Sequence, residues 1–508
     1  MEVSRRRFVR TVLLGSAAAT YCGSTHSLAG QAPDENGVSS HLTSEDFSTC
    51  HRVRDGESIP VAPVSRQVEF AVVGGGPSGL VAGYRLRDRD VIVLEKESLP
   101  GGNARSDSWR GMPYAAGAIV SYAGSPATAL YEEVGLPLET RVRSKRATIV
   151  GGEFIDDLWG SGLQRLFSPS IERSLRQAKS DLFAIDAQAE KSKLDRMRFS
   201  DLLRTYPPEV KAWFDALLAW FAAPTDEYSG YVGLYLARSQ MGAGLGVLYP
   251  EGSSKGGSYT FPGGLSAAAL KVAEKIQETG ADRLVTGATV YRVAQDGTGV
   301  NVSYLVGGEP VTIRAKAAIV AAPKFIAKYI VSDLPEDQKE AMKAMRYVPF
   351  LVGAVAVDGN ITSGFATART IKAPIANFRD ASTMPDKQLL RCEMPMRASA
   401  RTQLESDAFV ESYAQQVADY FESIFPGSRS KIAEVRIWRR GHNWYIPIPR
   451  MMTEYQPRAS RPLERVFFAN ADSLGTISEF GWALVAADRA VEMAKRKVAA
   501  DVGQVAVG

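Results

Sequence analysis

An apolar run that ends in a cluster of glycines occupies residues 68–79, where the chain reads Val68-Glu69-Phe70-Ala71-Val72-Val73-Gly74-Gly75-Gly76-Pro77-Ser78-Gly79. The apolar part predicts a short buried strand. A stretch with few helix breakers follows at 80–87, and a second apolar run at 91–94 ends in Glu95. Strand, glycine turn, helix and strand in this order predict the βαβ unit of a Rossmann-like α/β fold.

The glycines have the G-x-G-x-x-G spacing of a dinucleotide-binding turn, at Gly74, Gly76 and Gly79. Gly74 permits the tight turn, Gly76 lets a pyrophosphate approach the backbone, and Gly79 lets the helix pack closely on the strand. The free N–H groups at the start of the helix then face the phosphates. Glu95 lies 21 residues after Gly74, where a carboxylate binds ribose hydroxyls. The sequence therefore predicts a dinucleotide site.

Two further segments favour FAD over NAD. A second glycine motif, Pro100-Gly101-Gly102-Asn103-Ala104-Arg105, lies just past the second strand. Near the C-terminus the run 466–472 predicts a strand that ends in Asp472, and a helix with small residues follows at about 479–497. The start of such a helix stabilises the negative charge that develops at the flavin N1–C2=O locus on reduction. We expect Asp472 to bind the ribityl chain.

The composition argues against several classes of function. The 508 residues include 60 basic and 56 acidic side chains, and this near balance gives no reason to expect nucleic acid or an anionic membrane as a partner. After the first thirty residues only two cysteines and three histidines remain, without a metal-ligand spacing or a C-x-x-C-H haem motif. We therefore expect no metal site. A chain of this length predicts two or three domains.

The first residues predict export from the cytoplasm. Arg5 and Arg6 precede an uncharged apolar run at 11–21, and small residues at 27–29 offer a cleavage point. The run is too short to remain in a bilayer, so residues 1–29 are expected to form a signal peptide of the twin-arginine type. Export in the folded state suits a protein that must bind its flavin before it crosses the membrane. The sequence therefore predicts a periplasmic or extracellular location.

Together these segments resemble the flavin amine oxidase and desaturase superfamily. Gly101-Gly102 resembles its second flavin motif, the run 259–265 resembles the segment that returns the chain to the nucleotide domain, and 318–323 resembles its strand-then-proline return. The resemblance covers about residues 50–500. It implies an FAD-binding domain with an interleaved α+β substrate domain.

Three short stretches, at 51–56, 438–441 and 469–472, are most similar to bacterial spermidine dehydrogenases and their relatives. Asn103 and Arg440 stand where those dehydrogenases have histidines. No lysine occurs at 347–357, where the family's flavin-facing lysine would be sought. No cysteine stands near the C-terminal motif, so non-covalent FAD is expected. The residues expected to hold it are Gly74, Gly76, Pro77, Ser78, Gly79, Glu95, Lys96, Gly101, Gly102, Asn103, Ala104, Arg105, Leu284, Asp472, Thr476 and Ile477.

The motifs divide the chain into alternating parts of two domains. After the signal peptide, 30–65 is predicted to be a linker or an N-terminal arm. The FAD-binding domain is assigned 66–150, 258–335 and 462–508, and the substrate domain a helical part at 151–257 and a sheet part at 336–461. Apolar residues at 210–221 repeat with helical spacing, and we interpret them as core.

The run 437–449 contains the candidates for catalysis, which are His442, Trp444 and Tyr445. Aromatic faces orient an amine and attract its cation, and His442 is a candidate base with a pKa near neutrality. Packing of a strand would explain the same aromatic residues, and a lone histidine is more often structural. Phe480 and Trp482 are further candidates for positions near the isoalloxazine.

Three functions are compatible with these residues. The leading hypothesis is oxidation of an amine at its C–N bond by hydride transfer to flavin N5, with the protein supplying orientation and a dry pocket. The alternatives are desaturation of an apolar, polyene-like substrate and an accessory flavoprotein without turnover. Oxygen, a quinone and a periplasmic redox protein are all compatible with the sequence as the electron acceptor.

Overall fold

The structure is a computed structural model that describes residues 37–122, 124–137, 146–243, 258–362 and 364–505. The predicted signal peptide lies outside the described residues, so export stays a prediction. Within these ranges the chain forms two large sheets, each backed by helices. None of the described helices is long and apolar enough to cross a membrane.

The glycine-rich run begins at the centre of the first sheet. Val64–Val73 pairs in parallel with Val91–Leu94 on one side and with Glu309–Val320 on the other. This parallel arrangement confirms the Rossmann-like α/β fold. The seven described strands of this sheet run in the order Leu284–Val285, Val91–Leu94, Val64–Val73, Glu309–Val320, Val300–Val306 and Ala288–Gln295, with Val466–Phe468 paired to Glu309–Val320.

Four of the described helices share one apolar core with this nucleotide sheet. They are Pro77–Arg85, Pro126–Glu133, Ser266–Gln277 and Phe480–Val505. The first of them follows the glycine turn directly, and a Cβ on Gly83 would lie 2.5 Å from Val93 Cγ2. Helix and sheet therefore approach closely enough to bring the helix N-terminus to the carboxyl ends of the parallel strands, where α/β proteins bind nucleotides.

The second sheet has eight described strands and belongs to the substrate domain. Its two longest strands, Arg346–Asp358 and Ile432–Ile446, are antiparallel neighbours. The order across the sheet is Ser40–Ser44, Ile432–Ile446, Arg346–Asp358, Lys387–Pro395, Asn377–Asp380, Thr367–Ile371, Arg146–Val150 and Glu153–Ile155. The helix Asp407–Ile424 covers one face, and the helical part of the substrate domain packs towards the other.

The helical part consists of short helices around an apolar core. In Pro208–Leu218 the buried residues are those of the predicted stripe, so the stripe forms core packing. The helices of this part are Ser161–Leu166, Pro169–Ala184, Lys191–Arg196, Phe199–Leu203, Pro208–Leu218, Ala219–Phe221, Gly230–Arg238 and Ser239–Ala243. The remaining helices are Ser48–Arg54, Ala281–Arg283, Lys324–Ile330, Glu336–Ala344, Ala398–Glu405, Arg429–Lys431, Met451–Tyr455, Gln456–Ala459 and Ala471–Ser473. Short antiparallel pairs join Ser106–Trp109 to Met112–Ala115 and Ser121–Tyr122 to Ser258–Tyr259.

The structure assigns two segments differently from the sequence. Arg146–Val150, which we placed in the FAD-binding domain, pairs in parallel with Thr367–Ile371 and is part of the substrate sheet. The segment 30–65 was predicted to be a linker or an N-terminal arm, and the sequence assigned it no strand or helix. It contains the strand Ser40–Ser44, which pairs in parallel with Ile432–Ile446, and the helix Ser48–Arg54. Both partners lie more than 200 residues away along the chain, so no local pattern reveals these pairings.

Candidate active site

One cavity of about 380 Å³ connects the glycine turn with the wall of the substrate sheet. The nucleotide-domain end of the cavity is lined by Gly74, Gly76, Pro77, Ser78, Glu95, Lys96, Gly102, Asn103 and Ala104. The other end is lined mainly by aromatic and charged side chains of the substrate domain, among them Trp220, Phe350, Arg391 and Trp444. The cavity therefore extends from the predicted cofactor site to side chains of the substrate domain.

The glycine turn has the shape that a pyrophosphate requires. A Cβ on Gly76 would meet no protein atom closer than Gly102 Cα at 3.9 Å, so hydrogen alone leaves room on the cavity side. A Cβ on Gly79 would lie 1.7 Å from the carbonyl oxygen of Gly74, so this glycine serves the packing of helix on strand. The geometry at Gly76 and Gly79 is compatible with the roles that the motif predicts for them, and pyrophosphate binding stays a prediction.

Glu95 is held at the end of its strand by backbone donors. The N–H of Gly75 donates to Glu95 Oε2 at 2.6 Å, and the N–H of Glu97 donates to Oε1 at 2.9 Å. Burial raises the pKa of Glu95 above its ordinary value, while these N–H groups oppose that rise. The carboxylate lines the cavity beside the glycine turn, in the position from which it can accept from ribose hydroxyls.

Polar atoms around the middle of the cavity lack hydrogen-bond partners among the described residues. They include Asn443 Oδ1, Trp444 Nε1 and Glu479 Oε1, all on residues that line the cavity. A buried polar atom without a partner costs free energy, so such atoms cluster where a ligand completes them. The glycine cradle and the acid at the second strand fit a bound FAD, and the orphaned atoms fit a ligand in the same cavity.

Several predicted cofactor residues do not reach the cavity. Gly101 has a φ of +126° and shapes the second glycine turn, and Arg105 pairs with Glu97 and so supports the same loop. Leu284 lies on an edge strand of the nucleotide sheet, paired with Val93, and its side chain is packed in the apolar core. The cavity is instead lined by Thr289 and Val290, which belong to the next strand along the chain, Ala288–Gln295. Ile477 also lines the cavity, whereas Thr476 does not.

Asp472 has a different role from the one that the sequence suggested. Its carboxylate is 1% exposed and accepts from Lys324 Nζ at 2.8 Å, from the N–H of Lys324 at 2.9 Å and from the hydroxyl of Tyr347 at 2.6 Å. These partners occupy both oxygens, so Asp472 links three segments of the protein and is not placed to bind a ribityl chain. Its neighbours Asn470 and Ala471 line the cavity in its place.

The strand Ile432–Ile446 carries a bulge at the candidate catalytic residues. Val348 lies opposite Trp444, whereas Phe350, only two residues later, lies opposite Arg440. The three residues 441–443 therefore have no regular partners in the ladder. A bulge of this kind redirects side chains and is common beside active sites. Here it brings His442, Asn443 and Trp444 to the cavity.

His442 and Tyr445 differ from the roles that were predicted for them. The His442 ring stacks on Phe325 with centroids 4.2 Å apart, and burial, aided by the positive charge of Arg401, lowers its pKa to about 3. The imidazole is therefore neutral and is not a base with a pKa near 7. Tyr445 is fully buried, does not line the cavity and donates its hydroxyl to the carbonyl of Gly475. Trp444, by contrast, lines the cavity.

Sequence reasoning missed two groups of functional candidates. Glu479, at the start of the C-terminal helix, lines the cavity next to the predicted candidate Phe480. Arg379, Arg391 and Glu393 form a charged wall on two neighbouring strands. In sequence, the wall residues have only ordinary strand alternation, which solvated strands also show. Only the fold distinguishes these three residues from the polar residues of a solvent-exposed strand.

Comparison with known proteins identifies the group to which this architecture belongs. A family described as flavin-containing amine oxidoreductases matches residues 77–492. The chain belongs to this family. Its fold class, its FAD cofactor and its nature as an FAD-dependent oxidoreductase, all of which the sequence predicted, are thereby confirmed.

Individual relatives are more distant. Oxidoreductase PigB of Serratia sp. (strain ATCC 39006) is 21% identical over an alignment that covers 82% of this chain and 74% of the relative. A putrescine oxidase bound to putrescine superposes with a TM-score of 0.65 at 18% identity, over 85% of this chain and 99% of that one. Cyclohexylamine oxidase from Brevibacterium oxydans IH-35A gives a TM-score of 0.66 at 16% identity, over 85% and 99%. At these identities the two structures establish the fold.

Proposed function

We propose that this flavoprotein oxidises an amine at its C–N bond. The observation that carries the proposal is that aromatic rings line the same cavity as Glu479, whose Oε1 has no hydrogen-bond partner among the described residues. Aromatic faces attract an ammonium ion, and a carboxylate holds the same ion and accepts its proton. The family and the amine oxidases of the same fold support this assignment.

The aromatic wall consists of rings packed against each other. Trp444 lies between Phe350, at a centroid distance of 6.5 Å and an interplanar angle of 23°, and Phe221, at 6.2 Å. Rings that are held in this way keep a fixed position and exclude water from the substrate. Their role in the proposed reaction is to orient the carbon–nitrogen bond and to lower the local polarity.

Glu479 is suited to prepare the amine. Its Oε2 accepts from the N–H of Gly481 at 2.9 Å, and burial raises the pKa of the carboxyl group to about 7. An amine can lose a hydride only as the neutral base, so an ammonium substrate must first give up a proton. A carboxylate with a pKa near neutrality can accept that proton at physiological pH. FAD, when bound, supplies the hydride acceptor.

The proposal is tested by anaerobic reduction of the bound flavin. Primary and secondary amines are mixed with the purified flavoprotein, with apolar polyenes as the second arm, and bleaching of the flavin absorption is followed. We expect at least one amine to bleach the flavin within seconds and the polyenes to have no effect. Bleaching by a polyene alone would replace amine oxidation with desaturation. No bleaching in either arm would favour an accessory flavoprotein.

A further inference from the structure

The N-terminal arm, which the structure describes from residue 37 onwards, forms part of the wall of the cavity that reaches the glycine turn. Glu45, Phe47 and Cys50 of the arm line the cavity. All three precede residues 77–492, which the family of flavin-containing amine oxidoreductases matches. The match to the family therefore does not account for this wall, and its role has to be inferred from what the arm contacts.

The arm lies against the end of the second strand of the nucleotide sheet. Lys96, which follows that strand, has its ammonium group 4.2 Å from the centroid of the Phe47 ring and donates to the carbonyl of Asp46 at 3.0 Å. Burial raises the pKa of the Cys50 thiol, and the charges of Lys96 and Glu95 also act on this thiol. Both Glu95 and Lys96 line the cavity. Residues 46–50 of the arm therefore stand beside Glu95, the acid of the dinucleotide motif.

Two further contacts fix the arm over this end of the cavity. The helix Ser48–Arg54 packs against the strand Ala288–Gln295, which also contributes to the lining. After this helix, the carbonyl of Pro60 accepts from the hydroxyl of Tyr291, on the same strand, at 2.6 Å. The arm is thus held by the nucleotide domain itself, so Phe47 keeps a fixed place in the wall.

The position of the arm identifies the part of FAD that it can reach. In dinucleotide-binding folds the glycine turn binds the pyrophosphate, and the acid at the end of the second strand binds the ribose of the adenosine. The adenosine of FAD therefore belongs beside Glu95, which is where the arm forms the wall. An aromatic ring offers a nucleobase a flat apolar surface on which it can stack. Phe47 provides such a ring, and the Cys50 side chain provides further apolar surface.

We propose that the N-terminal arm is part of the FAD site and that Phe47 and Cys50 cover the adenosine end of the cofactor. A covered adenosine leaves the cavity more slowly, because its contacts with the arm must be broken first. The arm thus helps to retain a cofactor for which the sequence predicts no covalent bond. This inference rests on the FAD cofactor and not on the amine substrate, so its tests need no turnover.

The first test measures whether FAD shields Cys50. Purified protein that has been partly depleted of FAD with potassium bromide is treated with N-ethylmaleimide after addition of FAD, of FMN or of neither. Labelling of each cysteine is quantified by mass spectrometry of its peptide. We expect FAD to slow the labelling of Cys50 by at least about fivefold, since contact with one nucleobase is worth that much in binding. FMN, which lacks the adenosine, should leave the labelling rate unchanged.

Cys392 is the internal control, because it is buried in the substrate sheet at 1% exposure and reacts only when that sheet opens. Its labelling should not follow that of Cys50. Labelling of Cys50 that FAD does not slow, or that FMN slows equally, would overturn the inference. Protection of Cys50 and Cys392 in parallel would also overturn it, since FAD would then act through the stability of the whole protein.

The second test removes the aromatic contact. Phe47→Ala should raise the dissociation constant of FAD by about fivefold to a hundredfold, the range expected for one contact between an aromatic ring and a nucleobase. Phe47→Leu keeps an apolar side chain and should have a smaller effect. Phe183→Ala, at an exposed phenylalanine of the helix Pro169–Ala184, is the matched control and should bind FAD as the wild type does. The fluorescence of released flavin measures the binding.

Unchanged FAD affinity in Phe47→Ala would overturn the assignment of the arm to the adenosine. An equal loss of affinity for FAD and FMN in this variant would overturn it as well, because FMN does not reach the arm. If neither variant of Phe47 folds, the protection of Cys50 in the wild-type protein still decides the question.

Discussion

At the residue scale, two glycines of one motif are expected to have different roles, one in cofactor binding and the other in folding. Gly76→Val places a side chain where the protein leaves open space, with its nearest neighbour 3.9 Å from the added Cβ. We expect this variant to fold, to be colourless and to retain no FAD. Gly79→Val would bring Cβ within 1.7 Å of a carbonyl oxygen and should impair folding itself. Circular dichroism and the FAD content of the purified proteins distinguish the two outcomes. A yellow, FAD-replete Gly76→Val protein would contradict this assignment.

Glu479 gives the protein a specific pH dependence. Folding raises the pKa of its carboxyl group from 4.5 to about 7, because burial disfavours the charge. Between pH 4.5 and about 7 the folded state keeps this proton, whereas the unfolded chain has lost it. The contribution of Glu479 to the free energy of unfolding is therefore fully present below pH 4.5 and is lost as the pH rises to about 7. Glu479→Gln should therefore stabilise the protein by about 1–3 kcal/mol at pH 8 and have little effect at pH 4.

The same group should appear in the kinetics. In the wild-type protein, flavin reduction by a substrate should accelerate as the pH rises from 6 to 8, because the ionised carboxylate accepts the ammonium proton. Glu479→Gln should lack this step and react more slowly throughout. Stopped-flow rates across this range provide the check. An unchanged pH profile in the variant would remove Glu479 from the proton transfer.

Two neighbouring aromatic residues should have opposite phenotypes. Trp444 lines the cavity, so Trp444→Ala should weaken substrate binding by about twofold to thirtyfold, the range of one cation–π contact, without loss of the fold. Tyr445 is buried behind it and bonded to Gly475, so Tyr445→Ala should lower the free energy of unfolding by about 3–5 kcal/mol. Flavin-reduction titrations and chemical denaturation measure the two effects. Similar phenotypes in both variants would contradict the orientation of this strand.

At the scale of elements, the N-terminal arm contributes a wall of the cavity and is fastened by a buried ion pair. Arg440 Nη1 donates to Glu45 Oε1 at 2.7 Å and to Asn103 Oδ1 at 2.9 Å, and the Arg440 side chain is only 1% exposed. The two positions where the chain differs from the spermidine dehydrogenases, Asn103 and Arg440, are thus direct partners. The arm is further attached where Lys96 donates to the carbonyl of Asp46 at 3.0 Å.

Removal of one partner should destabilise this connection strongly. Glu45→Ala leaves the Arg440 guanidinium buried without its counter-charge, which typically costs about 3–5 kcal/mol. The double variant Glu45→Leu with Arg440→Met should recover most of that loss, because no buried charge remains. Glu57→Ala breaks an exposed pair with Arg52 and should cost less than about 1 kcal/mol. Urea denaturation compares the variants, and equal stability of Glu45→Ala and Glu57→Ala would refute the role of the pair.

At the scale of the whole molecule, the cavity is assembled from segments that are far apart in the chain. Its lining includes residues from the segments 45–50, 73–78, 288–290 and 477–483 and from the substrate sheet, although not every residue of these segments contributes. FAD can therefore bind fully only after nearly the entire chain has folded. Export through a twin-arginine signal stays a prediction; a chain that is loaded with FAD in the cytoplasm would have to cross the membrane in its folded state.

Export can be tested with the two arginines of the leader. Arg5→Lys combined with Arg6→Lys keeps the positive charge and the apolar run, so it changes only the feature that the twin-arginine route requires. We expect this variant to remain in the cytoplasm as a yellow, folded protein, whereas the wild-type chain reaches the periplasm. Cell fractionation with measurement of flavin content provides the readout. Normal periplasmic arrival of the variant would argue for a different export route.

The sequence by itself determined the nucleotide half of this protein. The turn at Gly74, Gly76 and Gly79 depends on backbone requirements within about thirty consecutive residues, and Glu95 follows at a fixed distance. Hydrophobic periodicity, which is also a property of neighbouring residues, identified the strands before and after this turn. These features made the fold class and a dinucleotide site predictable, because each depends on neighbours in the chain. The choice of FAD over NAD depended on two further segments, at 100–105 and 466–497.

Only the tertiary structure decided what faces the substrate. The bulge at 441–443 depends on the register with Arg346–Asp358, and it decides that Trp444 lines the cavity while Tyr445 is buried behind it. Asp472 is engaged by Lys324 and Tyr347, which are 148 and 125 residues away in the chain. The charged wall exists because strand pairing places Arg379 opposite Arg391. Burial and the pairing of charges arise from contacts between distant segments, and a linear pattern does not contain them.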